Sequence, residues 1–147
     1  MARPPIESGA VLDGFTVGEL VHSGGMATLW TVTRPDIKAP LLMKVPLISE
    51  GEDPAAIVSF EMEQMILPRL SGPHVPACFG TGDFARQPYA VIERIPGKTL
   101  YERLGDLPIA YEEARVIVGK IATALADLHT QNVIHHDIKP SSIMFRP

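Results

Sequence analysis

The sequence predicts an α+β chain in two parts, a small antiparallel sheet with one helix followed by the start of a helical region. Three observations carry this. Short apolar runs broken by Gly- and Pro-bearing turns fill the first 95 residues or so. The character changes after Pro96-Gly97. From Tyr111 to Thr130 apolar residues recur at helical spacing with no interior proline.

Residues 1–13 read as a loose leader. Phe15 to Val21 is a strand candidate, interrupted by Ser23-Gly24-Gly25 and followed by a second run at Leu29 to Val32, which together make a hairpin. Pro35 and Pro40 bound the next loop, and Leu41 to Val45 forms a third strand carrying one lysine, Lys44. Pro54 suits a first helical turn with Asp53 or Glu52 near the cap. Ile57, Phe60, Leu67 and Leu70 then share a helix face until Pro68 bends or ends the helix. SGPHVP is a loop. Val75 to Phe79 and Tyr89 to Ile92 are two more strands, joined by a turn around Gly82-Asp83. Thr99 caps a short helix running through Leu104. In the long helix, Ala114, Ile117, Val118, Ile121, Leu125 and Leu128 form the apolar stripe, and Gly119 marks close packing.

Composition excludes several classes of function. With 147 residues, 46% of them apolar, and a formal charge of −4, the chain has a core but no broad basic footprint for nucleic acid. A single cysteine, Cys78, rules out an internal disulfide and a cysteine metal cluster, and reads as a small core residue. MARPPIESGA lacks the apolar run of a signal peptide, and no stretch reaches the ~18–20 apolar residues of a membrane span. The expected location is the cytoplasm.

Several features point to phosphate handling. A Gly-rich hairpin turn lets backbone N–H groups approach phosphate oxygens. A lysine within an apolar strand needs an anion or a carboxylate partner, and Glu63, on the inward face of its helix, can supply one. Asp137, shortly before Lys139 and Pro140, can orient a hydroxyl.

In this order the elements resemble the protein kinase family, over roughly residues 14–146. LVHSGGMATLW is similar to the Gly-rich loop, with Gly24 as its central glycine, His22 and Ala27 in place of the outer two, and Gly25-Met26 worded as in bacterial Ser/Thr kinases. Leu29 matches the residue that packs on adenine. Lys44, in LLMK, matches the lysine of V-A-I-K that pairs with nucleotide phosphates, and Glu63 the glutamate that holds it. Ile92 matches the gatekeeper, and Glu93 to Ile95 the hinge that hydrogen-bonds adenine. HHDIKPSS resembles H-R-D-x-K-x-x-N, so Asp137 matches the base and Lys139 the lysine of Ser/Thr-specific members.

The resemblance implies a bilobal kinase-like fold, with residues 14–95 as a complete small lobe and 96–147 as hinge and start of the large lobe. It implies ATP and Mg2+ as cofactors and a protein Ser or Thr hydroxyl as acceptor. Two-lobed small-molecule phosphotransferases are the neighbouring class, and the Lys139-Pro140 pair, the hinge and LSGPHVPACFG favour the protein-kinase branch. His136 in place of arginine suggests control without activation-loop phosphorylation. Ser142 stands in place of the asparagine that binds the second magnesium, and weakens the metal site. D-F-G and A-P-E would follow Pro147 in the family, so the 147-residue chain alone is expected to be inactive while a longer parent phosphorylates protein. The alternative is a pseudokinase-like nucleotide-binding or scaffolding module.

Overall fold

A computed structural model describes residues 6–24, 27–47, 54–83, 86–135 and 138–146, with the side chain of Ala56 left aside. The chain divides into two compact units, Met1–Arg94 and Ile95–Pro147.

The first unit is a six-stranded antiparallel sheet in the order β1-β2-β3-β4-β6-β5, formed by β1 (Val11–Leu12), β2 (Phe15–Ser23), β3 (Ala27–Arg34), β4 (Ile37–Pro46), β5 (Cys78–Thr81) and β6 (Ala90–Glu93). It carries one helix, α1 (Pro54–Ile66). In β4, burial alternates strictly from Leu41 to Pro46. Leu41, Met43 and Val45 are 2%, 0% and 6% exposed, while Leu42 and Lys44 between them are half-buried. The buried set joins Phe15, Val17, Val32, Tyr89 and Val91 in one apolar cluster. Each such side chain stabilises the fold by about 1.5–3 kcal/mol.

Some elements depart from expectation for identifiable reasons. The described part of the leader is not loose. Val11–Leu12 pairs with β2, and Ile6, Ala10 and Leu12 pack on the core. Pro40 lies inside β4 rather than in a loop. Ladder pairing between β3 and β4 shifts between Val32 and Arg34, near enough to tolerate a missing N–H, and the Pro40 carbonyl accepts from Arg94 N–H at 2.9 Å. Strand β5 starts at Cys78, not Val75. Before it, Ala77 is tied to Glu93 by its carbonyl and by its N–H, which donates to the Glu93 carboxylate at 3.0 Å. Pro68 does end α1, and Leu67–Arg69 continues as a 3-10 helix, which carries Leu67 and Leu70 off the α-helical face. Asp53 and Glu52 lie outside the described residues.

Gln64 fixes α1 to the sheet. Its buried amide donates to the carbonyls of Tyr89, at 2.5 Å, and Gly82, at 3.2 Å. Tyr89 in turn is 2% exposed, meets Phe15 edge-on, and donates its hydroxyl to the Asp13 carboxylate.

In the second unit, Thr99 and Glu102 form a reciprocal cap. Thr99 Oγ1 accepts from Glu102 N–H at 3.1 Å, and Glu102 Oε1 accepts from Thr99 N–H at 3.2 Å. The helix it opens is a 3-10 turn, Glu102–Asp106. Helix α2 spans Tyr111–Thr130 and stops where Asn132 takes a left-handed φ of 63°. Ile117 and Leu128 are its buried residues, but Val118 is 64% exposed and leaves the predicted stripe. Gly119 does not mark close packing. A Cβ there would meet nothing within 4 Å.

Three outcomes follow from these contacts. Gly119→Ala is expected to raise the stability of the chain by up to about 1 kcal/mol, read as a higher Tm. Gln64→Ala removes both of these hydrogen bonds and is expected to lower unfolding free energy by about 1–3 kcal/mol in denaturant titration. Burial, and then the hydrogen bond to the Asp13 carboxylate, push the Tyr89 hydroxyl far above its ordinary pKa. A group raised on folding contributes fully below its unfolded pKa, about 10 for tyrosine, and loses that contribution as pH climbs beyond it. Stability above that pH should therefore fall less steeply in Tyr89→Phe than in the unaltered chain.

Candidate functional site

The strict alternation of β4 decides which residues share a surface with Lys44. Residues paired across an antiparallel ladder project to the same face. His22 pairs with Leu29, Leu29 with Lys44, Lys44 with Ala90, and Ala90 with Thr81, a row crossing five strands. The next row runs Thr31, Leu42, Ile92, Cys78. The opposite face is the dry core. The Lys44 face therefore holds an apolar strip of Leu29, Leu42 and Ile92, all half-buried, directly beside a cation.

Helix α1 brings Glu63 to that cation. Lys44 Nζ donates to Glu63 Oε1 and Oε2, both at 3.1 Å, and lies 5.9 Å from the centre of the Phe60 ring. The two side chains are 33% and 40% exposed. A pair this open contributes less than about 1 kcal/mol to folding. Its effect is to hold the ammonium in one place while leaving it reachable from water.

At the hairpin turn, Gly24 N–H donates to the Ala27 carbonyl at 3.0 Å. Gly24 has no left-handed φ. A Cβ there would lie 3.3 Å from Nε2 of the exposed His22 side chain, which needs to shift only a few tenths of an ångström. Ala27 is the first residue of β3, in ordinary extended backbone. Gly25 and Met26 lie outside the described residues. At the end of β6, Glu93 N–H donates to the Ala77 carbonyl at 2.8 Å and Arg94 N–H to the Pro40 carbonyl, which commits both donors within the sheet. Ile95, half-buried, opens the second unit.

In the second unit, the segment after the HHDIKPSS aspartate is pinned to residues 98–101. Leu100 N–H donates to the Ile143 carbonyl at 2.8 Å, Tyr101 N–H to the Pro140 carbonyl at 3.1 Å, and Phe145 N–H to the Lys98 carbonyl at 3.1 Å. Thr99 and Met144 form a bridge, and the Arg103 guanidinium lies 5.4 Å from the centre of the Phe145 ring. Lys139 is extended and exposed. Ser142 closes the 3-10 helix Pro140–Ser142 and its N–H donates to the Lys139 carbonyl at 2.9 Å. His136 and Asp137 lie outside the described residues.

The two groups the motifs imply fit unequally. Lys44, its carboxylate partner and the apolar strip suit a ligand with a flat apolar ring and an anionic tail. Among the described residues the magnesium donors do not fit. Ser142 brings one neutral hydroxyl on an exposed turn, and among the described residues no three of His, Cys, Asp and Glu cluster for a metal.

Sequence reasoning missed two contributors. Leu42 belongs to the strip between Leu29 and Ile92, a position readable from the alternation of LLMK. Gln64 positions α1, and no local pattern distinguishes it from a surface glutamine. Cys78, expected in the core, is half-buried at the end of the second row, and burial pushes its thiol pKa up.

The chain is similar to the Ser/Thr kinase PknJ of Mycobacterium tuberculosis (25% identical, covering 95% of this chain and 24% of PknJ). It is also similar to PknL of the same organism (27%, 97% and 36%) and to a probable Ser/Thr kinase PknB of Corynebacterium glutamicum (30%, 91% and 22%). It thus spans about a third of these relatives or less. Its fold matches the crystallised kinase domain of Mycobacterium tuberculosis PknI with a TM-score of 0.79 at 23% identity, over 95% of this chain and 58% of that one. The family model for the protein kinase domain matches residues 15–147, and the chain belongs to that family.

Proposed function

We propose that these residues are the nucleotide-holding lobe and catalytic loop of a Ser/Thr protein kinase, and that the 147-residue chain alone holds nucleotide without transferring phosphate. The observation that supports this most is the Lys44–Glu63 pair beside the Leu29, Leu42 and Ile92 strip. Protein kinases generally use ATP and Mg2+ and act on protein substrates.

In this reading the base lies on the apolar strip, by the backbone of Glu93 to Ile95, and Lys44 draws the phosphate chain. Glu63 keeps the ammonium extended. Gly24 leaves the hairpin turn open to phosphate oxygens, with Gly25 next to it in sequence. In the longer protein, a Ser or Thr hydroxyl oxygen attacks the γ-phosphorus. The bond from that phosphorus to the β,γ-bridging oxygen breaks, ADP leaves, and Asp137 takes the hydroxyl proton. Lys139 sets a positive charge two residues from that base. Ser142, where the motif has its magnesium-binding asparagine, would be a poorer oxygen donor to the ion that neutralises phosphate charge. In this reading the nucleotide-holding lobe works in the cytoplasm, where ATP is available, and no helix among the described residues is long and apolar enough to cross a membrane.

Ser142 also supports a second reading, a nucleotide-binding module without catalysis. Calorimetric titration with ATP, with and without Mg2+, separates the two when paired with a phosphotransfer assay of the longer protein. Magnesium-independent binding with no transfer favours the module.

The lysine assignment has its own test. Loss of one charge-assisted contact of about 1.5–3 kcal/mol means that Lys44→Met should weaken ATP binding about tenfold or more. Adenosine binding should stay unchanged. Equal ATP affinity in the two proteins would remove Lys44 from the site.

A further inference from the structure

His22 stands where the motif has its first glycine, and its side chain is exposed. Two independent observations say where that side chain lies. The first is register. His22 pairs with Leu29 and Leu29 with Lys44, so His22 projects from the Lys44 face, two strands away. At about 4.8 Å per strand, the two residues are about 10 Å apart at the backbone, and their side chains can converge on one ligand. The second is the turn. A Cβ on Gly24 would stand 3.3 Å from His22 Nε2 and 3.8 Å from Cδ2, so the imidazole lies along the turn, over the glycine at its centre. A glycine at 22 would leave that space empty. Here it is filled by a ring whose Nε2 donates a hydrogen bond in one neutral tautomer and in the imidazolium.

We propose that His22 is a phosphate-binding residue, a side-chain donor at the hairpin turn that works opposite Lys44 on the same ligand. This rests on the nucleotide reading above and adds to it. The phosphate chain runs between Lys44 Nζ and His22 Nε2, and the turn acts through a side chain where the motif relies on backbone alone. Leu29, between the two in the row, bears on the apolar part of the ligand. The contribution of His22 therefore grows with the number of phosphates and is absent for the nucleoside.

The test is a ligand series, adenosine, ADP and ATP, titrated against the unaltered chain, His22→Ala and His22→Lys, with circular dichroism to check folding. A hydrogen bond of about 0.7–1.4 kcal/mol corresponds to an about threefold to tenfold loss of ATP affinity in His22→Ala. The loss for ADP should be no larger, and adenosine should be unaffected. His22→Lys keeps a donor and should retain most of the ATP affinity. Unchanged or tighter ATP binding in His22→Ala overturns the proposal, and so does an equal loss for adenosine and ATP. Those outcomes leave the nucleotide reading standing, because the unaltered chain still binds. Failure of the unaltered chain to bind any of the three ligands overturns both.

Discussion

The alternation of β4 is the constraint on which the rest of the first unit depends. This strand lies inside the sheet, between β3 and β6, and its odd-numbered residues Leu41, Met43 and Val45 go into the dry face. Because the side-chain period is two, a slip by one residue would drive Lys44 into that face and expose Met43. Burying an unpaired ammonium is far costlier than any gain from the slip. The core therefore fixes the register, and the register fixes which residues accompany Lys44. The row from His22 to Thr81 and the strip of Leu29, Leu42 and Ile92 are consequences of burying the other face.

The groups that hold the fold together and the groups of the candidate site are different. The aliphatic and aromatic cluster under the sheet holds the fold together. The Lys44–Glu63 pair is too open to add much. Helix α1 stays in place through the buried Gln64 amide and its two backbone carbonyls, one residue along from Glu63. The glutamate is thus free to meet the lysine without having to anchor the helix. A cation held this way keeps its water contact, and an incoming anion can reach it without first breaking a buried network.

Periodicity made much of the architecture legible. The alternating runs in β2, β3 and β4 and the sustained stripe of α2 each contain enough repeats to reveal their period. What stayed hidden depends on contacts distant in sequence. Asp13 and Tyr89 are 76 residues apart and meet through one hydrogen bond that ties the first turn to the sheet. Pro40 reads locally as a breaker, but a shift in ladder pairing nearby accommodates it. Val118 has the right residue type for the helix stripe, but Ile117 and Leu128 set the buried direction and leave it outside. In the site, motif spacing located Lys44 and Glu63, whose pairing is met at 3.1 Å. Leu42 went unnoticed because a leucine in an apolar strand looks like core until the faces are sorted.

The departures from the kinase motif divide by what they remove. Ala27 replaces a glycine at a position of ordinary strand backbone, so no conformational freedom is lost, and the Gly24–Ala27 hydrogen bond still closes the turn. His22 replaces a glycine on a strand as well, and brings a donor to the face that already holds Lys44. Neither change takes a ligand-binding group away from the small lobe. Ser142 is different in kind. Its backbone is well placed, with its N–H on Lys139 and the surrounding segment pinned to residues 98–101, so what changes is the chemistry of the side chain. An amide that offers both an oxygen and a donor gives way to a shorter hydroxyl. On the proposed reading, the small lobe keeps its groups for holding nucleotide, and Ser142 is the departure that bears on transfer.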